Sequence, residues 1–142
     1  MRAWTSLMAS LGLVGLITAQ QQPQPTVKNT PIGVTSPASG KQMFNSYCAS
    51  CHGLDGKGDG PVRNALKVRP SDLTTLAQKN GGGFPDMRVT NVILGRTDFT
   101  SHGSREMPVW GPLFSQISGG SQAVVHQRVT NLTLYIKSLQ VK

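Results

Sequence analysis

The sequence predicts an all-α domain of three to five helices joined by long loops. Three observations carry this expectation. Apolar residues recur at three- and four-residue spacing in separate segments, "FNSYC", "VTNVI" and "VVHQRVTNLTLYI", which is the period of a helix with one buried face. No two segments alternate apolar and polar residues as half-buried paired strands do. The 142 residues include 16 Gly and 9 Pro, so turns must break the chain often.

The elements follow in order. Ser39-Gly40 opens a helix that runs through Met43, Phe44 and Tyr47 into Cys48, and Gly53 stops it. "LDGKGDGPVRNALKVRP" (54–70) reads as a loop with one helical turn near Val62–Leu66. Ser71 or Asp72 caps a short helix through Leu76, and Gly81-Gly82-Gly83 breaks the chain. A helix from Asp86 to Leu94 presents Val89, Val92 and Ile93 on its apolar face and ends at Gly95. "RTDFTSHGSREMPVWGPLF" reads as loop, with Pro108 and Pro112 blocking a regular helix. The last helix starts from a Ser121 cap and aligns Val125, Val129, Leu132, Tyr135, Ile136 and Leu139. A core built from these residues is scant, and small domains with scant cores often add a disulfide, a metal or a cofactor.

The amino-terminal segment has its own pattern. "MRAWTSLMASLGLVGLITAQQQ" has a basic start, an apolar run from Leu7 to Ile17 and small residues at 18–19. This is the layout of a signal peptide, residues 1–19, cleaved after Ala19 and sending the mature chain to the periplasm or another exported compartment. The apolar run is short for a membrane span, and membrane attachment requires that the segment stay uncleaved. Residues 20–38, rich in Gln, Pro and Thr, read as a disordered tether. The folded domain is then 39–142.

The chain carries 14 Lys and Arg against 6 Asp and Glu, a formal charge of +8. The basic residues are scattered, with no basic run interleaved with aromatics, so nucleic acid is set aside as a partner. A protein with an acidic docking patch fits better.

Both cysteines lie in "YCASCHG". Four chemistries use such a pair. Thiols at Cys48 and Cys51, on one helical turn, can add to the two vinyl groups of one porphyrin edge, with His52 beneath the iron as proximal ligand. A thiol–disulfide pair is the second, but such pairs usually open a helix after a strand, whereas this one closes a helix. Zinc is the third and wants four ligands, for which the chain has no second Cys pair. A plain local disulfide is the fourth. Covalent haem c, one per chain, is the leading reading.

A low-spin haem needs a second axial ligand, usually His or Met. Met1 and Met8 leave with the signal peptide, while Met43 and Met87 read as packing residues on helices. Met107, in "REMPVWG", sits in a loop stiffened by Pro108, which suits an approach from the far side of the ring. His102 in the same loop is its competitor, and His126 reads as a surface side chain.

On these residues the chain resembles the monohaem class I c-type cytochromes over Gly40 to Gln140. The likeness rests on "GKQMFNSYCASCHG", "GKGDGP", "RPSDLT", "SHGSREMPVWG" and the terminal "LYIKSLQ". The resemblance implies a cytochrome c-like fold around one haem. Thioether bonds would form at Cys48 and Cys51, with axial ligands His52 and Met107. It further implies that the Pro61 carbonyl fixes the proximal imidazole, and that Gly40 and Phe44 cross Leu132 and Tyr135. By the same likeness Trp110 packs at the haem edge or donates to a propionate, and Arg96 and Arg105 balance propionate charge. A haem with both axial positions filled exchanges electrons without binding substrate. The expected function is therefore that of an electron carrier rather than an enzyme, monomeric on its own and working between redox protein partners. The alternatives are a haem-bearing subunit of a larger oxidoreductase and, if the Met107 bond is labile, a catalytic or gas-binding haem.

Overall fold

The first helix forms because Ser39 caps it. The serine hydroxyl accepts from the Gln42 amide at 3.2 Å, and α1 runs over Gly40–Met43. The structure is a computed structural model that describes residues 33–96 and 107–141, all within one unit, Ile32–Lys142. The signal segment, the tether up to residue 32, His102 and Arg105 lie outside the described residues. From α1 the backbone passes without a break into a π turn, Phe44–Cys48, and then into α2, Ala49–His52. The π turn inserts one residue into the helical repeat. Met43, Phe44, Tyr47, Cys48 and Ala49 are all buried along this stretch.

Gly53 ends α2 at φ 79°, a left-handed conformation natural to glycine. The "GKGDGP" loop then folds back over the end of α2. Gly58, Gly60 and Val62 donate their amides to the carbonyls of His52, Cys51 and Ser50 at 2.7, 3.1 and 3.1 Å. That loop satisfies carbonyls a helix end leaves orphaned, and so fixes the Cys-Ala-Ser-Cys-His turn in place. A single 3-10 turn at Arg63–Ala65 follows. Asp72 then caps a second one, Leu73–Thr75, by accepting from the Thr74 amide at 2.8 Å, and α3 runs Leu76–Lys79.

Helix α4 spans Asp86–Leu94 and ends at Gly95 in the left-handed region. Ile93 is buried, and Val89 and Val92 are half-buried. Met87 departs from expectation: it is 80 % exposed, pointing away from the apolar face rather than packing.

A second correction concerns α5, Trp110–Ile117, in a stretch read as loop. Pro112 is the third residue of that helix. Amides in the first turn have no intrahelical acceptor, so the missing N–H and the fixed φ of proline cost nothing there. Gly111 lets the start of α5 approach α4, since a Cβ on it would meet the Leu94 carbonyl at 2.8 Å.

Helix α6, Gln122–Ser138, is capped by the Ser121 hydroxyl as its sequence predicts. It crosses α1 closely. A Cβ on Gly40 would collide with the Asn131 carbonyl and come within 2.8 Å of the Tyr135 Cβ. The Phe44 and Tyr135 rings lie 5.3 Å apart across the crossing, and Met43, Phe44, Phe114 and Leu132 are fully buried. With α1, the π turn and α2 read as one helix, the described residues form five helices and no strand, an all-α cytochrome c-like architecture. Among the described residues no helix is long and apolar enough to cross a membrane.

Residues 33–38, expected to belong to the tether, lie on the folded domain instead. Thr35 is 5 % exposed. The Tyr47 hydroxyl donates to the Gly33 carbonyl at 2.8 Å, and Asn131 Nδ2 donates to the Pro37 carbonyl at 2.9 Å. Short polar side chains hid this anchoring from a composition argument.

Candidate cofactor site

The chain forms a cavity of about 290 Å³, partly open to solvent, beside α2 and α4. Concave, largely apolar hollows of this size are the usual form of a ligand or cofactor site. Cys48, Cys51 and His52 form one part of its wall, and Met107 with Pro108 forms another. Val89, Val92 and Ile93 of α4 line it too. Segments separated by more than fifty positions in the chain thus bring together the four residues singled out from sequence.

The two thiols differ. Cys48 is buried at the end of the π turn and Cys51 is half-buried, and both are free. Burial, and then the neighbouring Cys51, push the Cys48 thiol up to about 12. Thiol–disulfide exchange needs a depressed pKa and an accessible thiolate, so this environment opposes the dithiol reading. Among the described residues no group of three or more His, Cys, Asp and Glu could hold a metal ion.

His52 faces the cavity with its other ring nitrogen tied down. Its Nδ1 lies 3.0 Å from the Ser71 carbonyl. A carbonyl only accepts, so Nδ1 carries the proton and Nε2 keeps its lone pair, as a metal ligand requires. Burial holds His52 below the ordinary imidazole range, against the opposing pull of the Ser71 carbonyl, so the neutral, ligating form is favoured. The carbonyl that orients the ring is Ser71's and not that of Pro61, which is exposed. The "GKGDGP" loop is spent on capping α2, and it is the chain entering the Asp72-capped turn that passes alongside the imidazole.

Trp110 lines the cavity at 7 % exposure. Its ring centroid lies 5.3 Å from that of Tyr47 and 5.7 Å from that of Phe114, so it forms a rigid wall. Arg96 is exposed just past the end of α4 and is not part of the lining. The cations that do line it are Arg69, Lys79 and Arg88. Sequence reasoning missed them because two lie in or beside irregular segments. The one on α4, Arg88, had a weak signal, since it directly precedes Val89 on the helix taken as apolar. His126 is exposed on α6, as expected of a surface side chain.

The donor set suits a haem. It offers two thiols on one turn, a neutral imidazole with its tautomer fixed, a thioether from a separate segment, apolar walls and three cations for acidic substituents. No curated protein and no solved structure matches the chain. The family model described as "Cytochrome C oxidase, cbb3-type, subunit III" matches residues 35–118, more than half of the chain. It includes the Cys-Ala-Ser-Cys-His turn, every cavity-lining segment before α6 and all of α5. The cavity, its thiols and this match agree that the protein belongs to the family of cbb3-type cytochrome c oxidase subunit III, a c-type cytochrome with covalently attached haem c and haem-based electron transfer as its activity.

Proposed function

We propose that the protein is an exported electron carrier whose one haem is attached through Cys48 and Cys51 and ligated by His52 and Met107. The observation that carries this is a single cavity lined by the two thiols, the imidazole and the Met107 thioether. The haem supplies reversible one-electron exchange between Fe(II) and Fe(III). His52 would hold the iron through its Nε2 lone pair, and the Ser71 carbonyl holds the ring in the tautomer that permits it. Met107 would hold the iron through a soft thioether, which favours Fe(II). Arg69, Lys79 and Arg88 balance propionate charge, the role first expected of Arg96 and Arg105. Trp110 and Tyr47 keep water from the ring on their side.

Charge supports redox protein partners with acidic docking patches. The stretch Pro61–Pro70 beside the cavity carries Arg63, Lys67 and Arg69 and no acidic residue. Such a field raises encounter rates with an acidic surface, and the effect fades as salt rises. The family match favours a second reading, in which the chain is the haem-bearing subunit of a larger oxidase.

Two measurements separate the readings. Ferrous wild type is expected not to bind CO at neutral pH and to show the near-infrared Met–Fe(III) band when oxidised. Met107→Ala loses the band and binds CO. Ready CO binding by wild type would replace the carrier with a catalytic or gas-binding haem. For carrier against subunit, the native protein is purified at low and high salt. A carrier separates from its partners as salt rises, whereas a subunit stays with an oxidase at fixed stoichiometry.

A further inference from the structure

We infer that the strap Gly33–Thr35, locked by the buried Arg128, positions Tyr47 as a water-excluding wall of the haem cavity and thereby sets the haem's redox balance. This rests on a haem occupying the cavity next to Tyr47.

Arg128 is 2 % exposed on α6, where a charged side chain is costly unless paired or well hydrogen-bonded. Its partners are neutral. Nε donates to the Ser118 hydroxyl at 3.1 Å, and Nη1 donates to the Thr35 hydroxyl at 3.1 Å and lies 3.8 Å from the Met43 sulfur. Guanidinium nitrogens only donate, so the Thr35 oxygen accepts from Arg128 and keeps its own proton to give. Among the described residues the acceptor for that proton is the Tyr47 hydroxyl at 2.8 Å. The Tyr47 hydroxyl in turn gives its proton to the Gly33 carbonyl at 2.8 Å, and also accepts from the Thr35 amide at 3.3 Å. The direction of each bond is therefore fixed: Arg128 to Thr35 to Tyr47 to Gly33. A chain polarised in one sense from a buried cation strengthens its members.

The far end of this chain is a cavity wall. Tyr47 immediately precedes Cys48, lines the cavity and is 7 % exposed. Its ring packs on Trp110 and Phe114 at 5.3 and 5.7 Å. The strap holds its hydroxyl through the Gly33 carbonyl and the Thr35 amide and hydroxyl, while the same residue lines the cavity. When the strap lifts, the hydroxyl meets water and the ring loses its tether. Water then approaches the cavity from the Tyr47 side, which favours Fe(III), because burial is one of the levers on haem potential.

The test compares holoprotein carrying Tyr47→Phe, Thr35→Val, both together, and Arg128→Met, reading midpoint potential and protease cleavage within residues 33–37. Tyr47→Phe keeps the ring and Thr35→Val keeps the shape, so both fold even where Arg128→Met does not. Each single change is expected to lower the potential and speed cleavage in the strap. The double variant should shift the potential no further than the larger single shift, because both break one chain of bonds. Potentials equal to wild type in Tyr47→Phe and Thr35→Val, with only cleavage or melting altered, would reduce the strap to a surface cap and overturn the inference. A wild type lacking a c-type spectrum overturns instead the haem reading beneath it.

Discussion

The two sides of α1 and its continuation contrast sharply. On one side α1 meets α6 with no space to spare, Gly40 lying against the Asn131 carbonyl and Phe44 and Leu132 fully buried. On the other, the same helix ends at Cys48 to His52 against a hollow of about 290 Å³ walled largely by loops and α4. The first side is completed by the chain's own side chains. The second is completed only by a cofactor. Stability and function are thus divided between the faces of one element, and substitutions on the two sides should behave differently with and without haem.

The largest expected effect comes from the cavity. Replacing Cys48 and Cys51 together by Ala abolishes covalent haem, read as loss of the c-type spectrum under denaturing conditions. The helical signal should fall only partly, because the α1–α6 crossing needs no haem; complete unfolding would mean that the crossing too depends on the cofactor. Leu132→Ala comes next. It removes a fully buried side chain from the crossing and should cost about 2–5 kcal/mol in chemical denaturation, with or without haem. Gly40→Val belongs beside it, because overpacking at that contact should cost about 1–3 kcal/mol or more. Val92→Ala, on the cavity wall, sharpens the contrast. Without haem it faces a void and should cost less than about 1 kcal/mol, with a larger cost emerging once haem is bound. Equal costs for Val92→Ala in the two states would erase the distinction between the two sides.

Smaller effects follow from capping and surface charge. Asp72→Ala should cost about 1 kcal/mol and disturb the turn next to Ser71, whose carbonyl orients His52. The hydroxyl and amide of Thr74 hold the Asp72 carboxyl below its ordinary range. The sign follows from that depression: the contribution is full above the unfolded-state pKa and is lost as pH falls through the lower folded-state value. The weakest change is Asp86→Asn. It removes the exposed 3.0 Å ion pair with Lys137 and should cost about 0–1 kcal/mol, less at high salt.

Much of the closed side was legible in the sequence. The α6 stripe, its Ser121 cap, and α4 from Asp86 to Gly95 are encoded in helical period and end signals, which act locally. The Gly40–Phe44 contact with Leu132 and Tyr135 came from the family resemblance, and the crossing bears it out. The attachment turn was legible because two thiols and an imidazole at fixed spacing admit few chemistries. What escaped depends on long-range packing. Pro112 signals a helix break until one knows that α5 starts two residues before it. The π turn leaves no mark on composition. The strap's polar residues resemble a tether, and Arg128 resembles a surface cation, until Thr35, Tyr47 and Ser118 are seen around it. Ser71 and Arg69 reach the cavity from irregular backbone, and Lys79 from the end of a four-residue helix, too short to show a period.

The most direct test of the central claim is the intact mass of the protein, made in a haem-competent host and measured under denaturing conditions. The account predicts the polypeptide plus one haem, with the added mass mapping to the peptide that contains Cys48 and Cys51. A mass equal to the bare polypeptide would contradict it.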